Sequence, residues 1–597
     1  MISSDVYQER AARFFAEAEQ TEMIIKRYAW IRLALVLGMG VSIYAGLTHP
    51  FWFYTLPGWI AVFVILVRKQ VALEDHKQQL NNLFRLNHAE ERALLFQPLP
   101  FSDGAQFADP HHAFSADLDL FGSRSIFQYI NRCATEIGER KLATELRTRS
   151  EQPLTAQELS ERQQAIRELA PRIDFRQRAW AIGQQMETSK FNDAAFDAWL
   201  AEKPFIISNG LLTISRYALP ALTLSVIGWS FTDPSRIPFA LALMTLQFSI
   251  TGTFTKRIKM IEHQLTRGHT LLSNYARLLR LFSDEAVTSP VLTHHHAIAT
   301  EAHHHIGTFA KLVNAFESRQ NAIAMFFGNS LFQYDLHTLA KLERWRALHG
   351  HSINHWLNSL AEWDALLSPA TLHYNFPEYA FAEVATDSVL EAKQAGHLLI
   401  PPAARVNNDL VLGNPASVWL ITGANMAGKS TFLRALGVNF VLGSMGSPVC
   451  AGYWRMPLIT LRTGMRTTDS LQDHQSYFFA ELSRLQTIMN ELREGKPMFI
   501  LLDEILKGTN STDKQLGSRE LLKQLKELRA LVVLATHDIA LGDLQQEFPN
   551  QIANACFEGR IVEDQLTFDY TLHAGVAQKA NATFLMRKMG IIPGEST

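Results

Sequence analysis

The stretch from residue 423 to residue 431 carries the residue types needed to bind phosphate. Its sequence, GANMAGKST, matches the pattern G-x-x-x-x-G-K-[ST] at every fixed position. Such a loop directs backbone N–H groups and a helix N-terminus at phosphate oxygens. Lys429 would reach the β- and γ-phosphates, and Ser430 would bind Mg²⁺. We predict that the nucleotide is bound by Gly423, Ala424, Asn425, Met426, Ala427, Gly428, Lys429, Ser430 and Thr431; the alternative is a glycine-containing turn that matches by chance.

Two carboxylates follow a separate apolar run. Residues 498–502, MFILL, have the continuous apolar character of a buried parallel strand, and Asp503 and Glu504 come directly after them. Asp503 is predicted to hold Mg²⁺ through water, since this ion keeps most of its hydration shell. Glu504 is predicted to be the general base that activates the attacking water. An acidic turn at the end of a strand is the alternative.

A histidine follows a third apolar run. Residues 531–535, LVVLA, predict a strand, and Thr536, His537 and Asp538 come next. Ligands of parallel sheets bind outside the carboxyl ends of the strands. We therefore expect His537 to face the γ-phosphate as a third catalytic residue beside Lys429 and Glu504, with a surface-loop histidine as the alternative.

The elements around these residues predict an α/β domain at the C-terminal end. The apolar run 418–422 precedes the phosphate loop as a strand, and residues 432–436 follow it as a helix, which is the context that the motif requires.

Length and composition give broader bounds on the protein. With 597 residues there is room for several domains. The net charge of −2 gives no overall basic bias of the kind common in proteins that grip DNA phosphates. The cysteines Cys133, Cys450 and Cys556 are far apart, which fits a reducing cytosol and no disulfide framework.

Two apolar hairpins interrupt the rest of the chain. Residues 33–67 contain no Asp, Glu, Lys or Arg and turn near His49, and residues 217–255 are apolar on both sides of a turn at 233–236. Basic residues flank both hairpins on the side predicted to be cytoplasmic. We predict four short membrane helices and a location at the cytoplasmic membrane, with the ATP-binding domain in the cytoplasm; the alternative is a set of buried core helices.

Two histidine triplets, at 294–296 and 303–305, lie in a region predicted to form long helices with few Pro or Gly. Imidazole is a good ligand for transition metals. A polar helix face or loop is the simpler interpretation, and a metal site is the alternative.

Together these motifs resemble the MutS family of DNA mismatch-repair ATPases. Residues 423–431 are similar to the family's G-P-N-M-x-G-K-S-T, with Ala424 in place of proline, and residues 503–512, DEILKGTNST, are similar to D-E-I-G-R-G-T-S-T. Residues 535–537 match A-T-H, and residues 476–481, SYFFAE, fit S-x-F-x-x-E. The resemblance continues with gaps over roughly residues 115–592. It implies that Ser476 contacts the nucleotide of a partner subunit; a helix N-cap is the other interpretation, and both roles can hold together.

The resemblance implies a magnesium-dependent ATPase that acts as a dimer, and it makes DNA the expected partner. The expected architecture is an N-terminal helix and membrane hairpin in residues 1–98, an all-α core and lever domain with the second hairpin in 99–385, and an ABC-type P-loop ATPase domain in 386–597. No G-x-F-Y-E-type wedge is found, so we expect a membrane-anchored variant without the mismatch-recognition domain. An ABC-transporter signature, L-S-G-G-Q, is also missing from the sequence. The alternative function is a membrane mechanoenzyme whose ATPase drives a protein partner.

Overall fold

A computed structural model of the chain describes residues 1–185, 193–265, 268–317, 322–424, 426–465, 477–506, 510–562, 565–577 and 591. The chain is helical up to Asn375 and α/β from Ala380 onward, as predicted. The helices are α1 (Asp5–Thr48), α2 (Leu56–Leu94), α3 (Ile126–Ile130), α4 (Glu136–Thr148), α5 (Ala156–Leu169), α6 (Ile173–Gly183), α7 (Asp193–Ala201), α8 (Gly210–Ser230), α9 (Ile237–Thr253), α10 (Thr255–Leu265), α11 (Gly268–Ser283), α12 (Pro290–Glu317), α13 (Ala322–Phe332), α14 (Tyr334–His349), α15 (Ile353–Asn375), α16 (Lys429–Ser444), α17 (Tyr477–Arg493), α18 (Ser511–Glu527) and α19 (Leu544–Glu547).

The strands follow mostly in the C-terminal part. They are β1 (Ala380–Phe381), β2 (Glu383–Val384), β3 (Leu390–Ala395), β4 (Asn408–Leu412), β5 (Val418–Gly423), β6 (Pro448–Val449), β7 (Tyr453–Met456), β8 (Thr460–Gly464), β9 (Met498–Asp503), β10 (Leu531–Thr536), β11 (Ile552–Phe557), β12 (Gly559–Val562), β13 (Gln565–Phe568) and β14 (His573–Ala574). Short 3-10 helices lie at Pro50–Thr55, Ala105–Phe107, Pro234–Arg236 and Ile539–Asp543.

The main sheet brings together the strand ends that carry the predicted site. Among the described residues its strand order is β14-β11-β5-β10-β9-β8. The strands from β11 to β8 are parallel, and β14 pairs antiparallel with β11. The predicted strands are β5, β9 and β10, each extending one residue further than expected. Because β10 lies between β5 and β9, their carboxyl ends meet at one edge, with Thr536 opposite Thr422 and Ala535 opposite Asp503.

The central strands are buried on both faces, which is why their sequences are continuously apolar. In β10, Leu531 and Val533 belong to one core, which also contains residues of α16. Val532 and Leu534 belong to a second core, formed with α17 and α18. Because both faces of the main sheet are covered, polar side chains on these strands can reach solvent at the strand ends.

Smaller sheets lie beside the main one. Within the described residues, β2, β7, β3 and β4 form one sheet in that order, and β1–β6 and β12–β13 form antiparallel pairs. Strand β4 begins at Asn408.

The chain divides into two compact units. One contains Met1–Phe15, Phe84–Arg176 and Ala365–Thr597, and the other contains Ala16–Leu83 and Gln177–Asp364. Each unit is built from segments that are distant in sequence, whereas the sequence suggested three consecutive segments. The domain boundaries at 98 and 385 therefore stay predictions.

In the first unit, residues 114–130 pack on the α/β region. Leu118 and Leu120 are fully buried in the core that contains α16. Asp117 is 1% exposed, accepts hydrogen bonds from Thr463 Oγ1 (2.6 Å) and the Met465 N–H (3.2 Å), and pairs with Arg484 (2.9 Å). The buried carboxylate thus ties the turn around Asp117 to the end of β8.

The predicted apolar hairpins form long helices. The 3-10 helix Pro50–Thr55 separates α1 from α2, and Pro234–Arg236 separates α8 from α9. By length and composition, three stretches in the described part of the chain could each cross a membrane: Asp5–Thr48, Pro50–Leu94 and Gly210–Ser230. Helices α9 and α10 pass the same test only as a pair bent by 57°. At most 11% of each apolar window in the three stretches is buried, so these helices are not core helices covered by the rest of the chain.

The histidine triplets lie on α12, on a long helix as expected. His295 Nδ1 lies 2.9 Å from Ser359 Oγ, His296 Nε2 lies 3.0 Å from the Ser283 carbonyl oxygen, and the ring of His305 stacks on Trp356. No group of three or more His, Cys, Asp or Glu suited to a metal ion occurs among the described residues. His295, His296 and His305 thus contact neighbouring groups, and His294 and His304 are exposed.

Candidate nucleotide site

The phosphate-type loop connects the end of β5 to the start of α16. Gly423 ends the strand with φ +152°, and Gly428 precedes the helix with φ +105°. A Cβ on Gly423 would lie 2.5 Å from the carbonyl oxygen of Phe557, and one on Gly428 would lie 3.1 Å from the Tyr570 ring. Glycine is needed at both positions because the backbone is left-handed at Gly428 and crowded at both.

Lys429, the first residue of α16, points back over this loop. Its side chain is 5% exposed, and Nζ donates hydrogen bonds to the carbonyl oxygens of Gly423 (2.7 Å) and Ala424 (2.9 Å). The ammonium group is therefore held at the mouth of the loop, where it lines a cleft. A phosphate entering that cleft would meet a pre-positioned positive charge.

Ser430 and Asp503 come together across the strand ends, although 73 positions separate them. The Ser430 hydroxyl donates to Asp503 Oδ2 at 2.5 Å. The other carboxylate oxygen, Oδ1, is buried without a hydrogen-bond partner. Such an orphaned oxygen beside a hydroxyl fits a hard cation with oxygen ligands, because a buried polar group without a partner is costly. The residues present therefore fit Mg²⁺, which Ser430 would ligate directly and Asp503 would hold through water.

Glu504 and His537 form a contact pair beside the loop. The Glu504 carboxylate pairs with His537 Nε2, and His537 Nδ1 lies 3.0 Å from the Gly423 carbonyl oxygen. Glu504 has φ +54°, and its N–H donates to the Ala535 carbonyl oxygen at 2.9 Å. This backbone bond to β10 fixes the turn that directs the carboxylate toward the loop.

A neighbouring turn is fixed by a second acid. The N–H of Leu506, which also has a positive φ of +58°, donates to Glu481 Oε1 of α17 at 2.5 Å. Glu481 is the last residue of the motif S-x-F-x-x-E, so that motif supports the segment after Glu504.

The loop, the start of α16 and Glu504 line a cleft of about 430 Å³. That volume is within the range of small-molecule and cofactor sites. The rest of the lining bears mostly apolar or aromatic groups: His397, Ile400, Ala404, Val406, Asn408, Phe557 and Tyr570. A cleft that combines a cation and polar groups with apolar and aromatic groups suits a nucleotide.

Part of the lining depends on residues to which the sequence assigned no role. Asn408 Nδ2 donates to the Tyr570 carbonyl oxygen (3.0 Å), and its Oδ1 accepts from the Leu572 N–H (2.7 Å). Asn408 thus holds the segment that places Tyr570 over Gly428. The pairs at 396–397 and 408–409 resemble the family's lead-in to the ATPase, but only the fold brings them to the loop.

His397 is an uncharged group in the lining of the cleft. Burial, with the positive charge of Arg434 as a second cause, lowers the pKa of His397 from 6.5 to about 4. Its Nδ1 accepts a hydrogen bond from the Leu399 N–H at 3.3 Å. The ring is therefore neutral at neutral pH and offers a face or an edge rather than a charge.

The structure brings most of the predicted site residues together around one cleft. Of the loop residues, Ala424, Met426, Ala427, Gly428, Lys429, Ser430 and Thr431 line it. Glu504 lines the same cleft. Asp503 accepts a hydrogen bond from Ser430, which lines the cleft, and His537 contacts Glu504 and the Gly423 carbonyl oxygen. Asn425 and Ser476 lie outside the described residues; their roles stay predictions.

Comparison with known proteins places this cleft in a recognised domain. A family model described as MutS domain V matches residues 419–593. The region is similar to proteins called DNA mismatch repair protein MutS: the one from Fusobacterium nucleatum subsp. nucleatum is 28% identical over 221 residues, 36% of this chain and 24% of that relative. The one from Thermotoga maritima is 29% identical over 237 residues, 39% of this chain and 29% of that relative. The alignment thus spans about a quarter of the relatives' length.

Proposed function

The chain belongs to the MutS family through its C-terminal region, and we propose that it is a magnesium-dependent ATPase anchored in a membrane. The observation that carries the proposal is the convergence of Lys429, Ser430, Asp503 and Glu504 on one cleft. These side chains come from the start of α16 and the end of β9, and the fold alone brings them together. They supply the parts that phosphoryl transfer to water requires.

The phosphate-binding half of the site works by charge and backbone geometry. Lys429 and the N–H groups at the start of α16 bind the β- and γ-phosphates. Ser430 and Asp503 hold the magnesium ion, which would supply charge neutralisation on the phosphates. The bond between the Ser430 hydroxyl and Asp503 keeps both ligands in place before the nucleotide enters.

The hydrolytic half rests on Glu504 and His537. Glu504 accepts a proton from the attacking water, and His537 faces the terminal phosphate. In the described structure these two groups contact one another, so the carboxylate must leave His537 to take up a water. Nucleotide binding would therefore separate the pair as part of assembling the site.

The Glu504→Gln variant tests the proposed hydrolysis. Loss of a general base lowers the rate by about 10²–10⁴-fold, while ATP binding is expected to remain. The measurement is phosphate release by purified protein in detergent together with equilibrium binding of ATP. The matched control is Glu520→Gln, an exposed carboxylate of α18; a Glu504→Gln protein with unchanged turnover would refute the assignment.

DNA is the proposed ligand of the whole protein, following the relatives named for DNA mismatch repair. The test is ATP hydrolysis with and without duplex, mismatched and branched DNA, at low and moderate salt. Stimulation that fades as salt rises would support DNA, because phosphate contacts release counterions. Turnover that ignores every DNA, with no DNA retained at low salt, would exclude it.

A dimer completed by Ser476 is part of the same proposal. Mixing a Ser476→Ala subunit with a Glu504→Gln subunit separates the two defects. If Ser476 acts across the interface, a mixed dimer places both defects in one site and leaves the other site intact. Activity regained on mixing supports this arrangement, and none regained contradicts it.

A membrane mechanoenzyme is the second candidate, favoured by a buried polar network in the first unit. Tyr7 of α1 donates to Asn375 Oδ1 of α15 at 2.6 Å. Asn375 Nδ2 lies 3.4 Å from Glu90 of α2, whose carboxylate binds Arg132. Breaking such a network costs several kcal/mol, so a shift of α15 would be passed to α1 and α2. ATPase activity that is indifferent to DNA would favour this candidate.

A further inference from the structure

The second unit contains a short apolar helix that is not one of the predicted membrane spans. Helix α13 has the sequence AIAMFFGNSLF, with no charged residue. It exposes Phe326 (46%), Phe327 (52%) and Phe332 (48%). Exposed aromatic side chains around a short helix without charges are the kind of apolar surface that marks an interaction site.

This helix is packed against the second apolar hairpin. It contacts both α8 and α9, and the ring of Phe326 lies 5.4 Å from the ring of Phe248 in α9. The hairpin itself exposes large apolar side chains, including Leu211 (81%), Phe231 (86%) and Phe239 (66%). The aromatic surface of α13 is therefore continuous with the surface of the hairpin.

The position of α13 along the hairpin can be read from its neighbours. Phe248 lies five residues before the end of α9 at Thr253, about 8 Å along the helix. Lys256 and Arg257 follow at once, on the side that the positive-inside rule assigns to the cytoplasm. Phe326 is thus level with the cytoplasmic part of the hairpin.

The other end of α13 is fixed near the start of the hairpin's apolar run. Asn329 and Asp335 exchange two hydrogen bonds of 3.0 Å, which fix the corner between α13 and α14. In the first turns of α14, His337 Nε2 lies 2.7 Å from the Arg216 carbonyl oxygen, and its ring packs on Tyr217. Residue 217 is where the apolar run of α8 was predicted to begin.

The length of α13 excludes a full span. Its 11 residues make a helix about 16 Å long, against a hydrocarbon core of about 30 Å. Backbone at membrane depth needs its hydrogen bonds satisfied, which a short helix packed on other helices provides. Aromatic side chains are favoured at the level of the lipid headgroups.

We propose that α13 is a third membrane element, which inserts Phe326, Phe327 and Phe332 into the cytoplasmic leaflet beside α9. The occupant of this surface is the lipid bilayer. The inference rests on the proposed membrane anchoring of the second hairpin. The protein should therefore contact the membrane through residues 322–334 in addition to its spanning helices.

Spin labels at three exposed positions test the proposal in the full-length protein. The variants are Phe327→Cys on α13, Phe239→Cys on α9 and Leu348→Cys near the far end of α14, where the native side chains are 52%, 66% and 57% exposed. The unmodified chain sets the background, since its cysteines are buried. Each variant is placed in nanodiscs of phosphatidylcholine with some phosphatidylglycerol, and collision with oxygen and with a water-soluble nickel chelate is measured.

The expected result is a severalfold higher oxygen-to-nickel collision ratio at residue 327 than at residue 348, with residue 239 also high. A low ratio at 327 with a high ratio at 239 would overturn this inference and leave the anchoring intact. Low ratios at both would overturn the anchoring itself, and the inference with it. Protection of residue 327 from both reagents would mean that protein covers α13, which also overturns the proposal.

Discussion

At the residue scale, the site is defined by which polar groups are satisfied and which are left open. Ser430 satisfies one oxygen of Asp503, and the other is buried without a hydrogen-bond partner. Glu504 and His537 satisfy one another. The first arrangement fits a bound cation, and the second can be broken by an incoming phosphate and water.

Asp503→Asn should weaken the response of the ATPase to magnesium. Removal of a group that holds a metal through water lowers the affinity for the metal by about 10–100-fold. We expect the magnesium concentration for half-maximal turnover to rise by that factor, while binding of ATP without magnesium changes little. Titration of magnesium in a turnover assay measures it, with Glu520→Gln as control. An unchanged midpoint would contradict the metal role of Asp503.

His397 should make the protein less stable as the pH falls from 6.5 toward 4. Its pKa is about 4 in the folded chain and 6.5 ordinarily, so in this interval the unfolded chain takes up the proton and the folded chain does not. The free energy of unfolding therefore falls by up to about 1.4 kcal/mol for each pH unit by which the pH is lowered. Above pH 6.5 this loss of stability is absent. Thermal unfolding of wild type and His397→Gln at several pH values checks it.

Between pH 7 and pH 5, the melting temperature of the wild type is expected to fall further than that of His397→Gln. Substitution of the exposed His351 by Gln provides the matched control and should leave the wild-type pH dependence in place. Parallel curves for wild type and His397→Gln would show that His397 is not the titrating group.

At the element scale, α16 is crowded around Gly437, near the middle of the helix. A Cβ on Gly437 would lie 2.5 Å from Leu118 Cδ2 and 3.0 Å from Leu501 Cδ1. The glycine lets the segment around Leu118 and the strand β9 approach the helix closely. The helix that begins with Lys429 and Ser430 is thereby packed tightly against both.

Gly437→Ala and Gly307→Ala should change stability in opposite directions. Overpacking at Gly437 is expected to destabilise by about 1–3 kcal/mol. In α12 a Cβ on Gly307 would meet only Ala276 Cβ, at an ordinary 3.6 Å, so alanine there should stabilise by about 0.5–1 kcal/mol through its better helix propensity. Denaturant midpoints of the two variants measure the contrast. Equal changes in stability for Gly437→Ala and Gly307→Ala would mean that the space around Gly437 tolerates a methyl group.

At the scale of the whole molecule, the chain combines an α/β nucleotide cleft with long apolar helices. Trp30 (72%) and Leu37 (64%) of α1 are among many large apolar side chains that face outward. A water-exposed surface of this kind is costly, and a bilayer removes the cost. Membrane anchoring and ATP hydrolysis are therefore proposed for one chain.

Leu37→Arg should reduce the fraction of protein that stays in membranes. A charge near the centre of a span costs about 2.5–3.5 kcal/mol on insertion. The measurement is the share of protein in the membrane pellet after an alkaline carbonate wash. Gln20→Arg, an exposed substitution with the same charge change on the polar part of α1, should leave retention unchanged. Release of the wild-type chain by carbonate would contradict the anchoring.

Local chemistry and element types could be predicted from the amino-acid sequence alone. The apolar runs predicted β5, β9 and β10 to within one residue because strands buried on both faces must be continuously apolar. The glycine-rich loop is a local motif whose backbone needs are written in its own residues. The long uncharged stretches likewise predicted the helices of both hairpins, because periodicity and composition are local properties.

Which distant residues meet depends on the tertiary fold. Strand order places β10 between β5 and β9, so His537 reaches both Gly423 and Glu504. The lining of the cleft joins His397, Asn408 and Tyr570 from three separate segments, and no spacing along the chain encodes that. Packing of α13 on α9 also joins segments that are distant in sequence. Pairing across a sheet and packing between helices are set by the burial of whole surfaces, which a local pattern cannot specify.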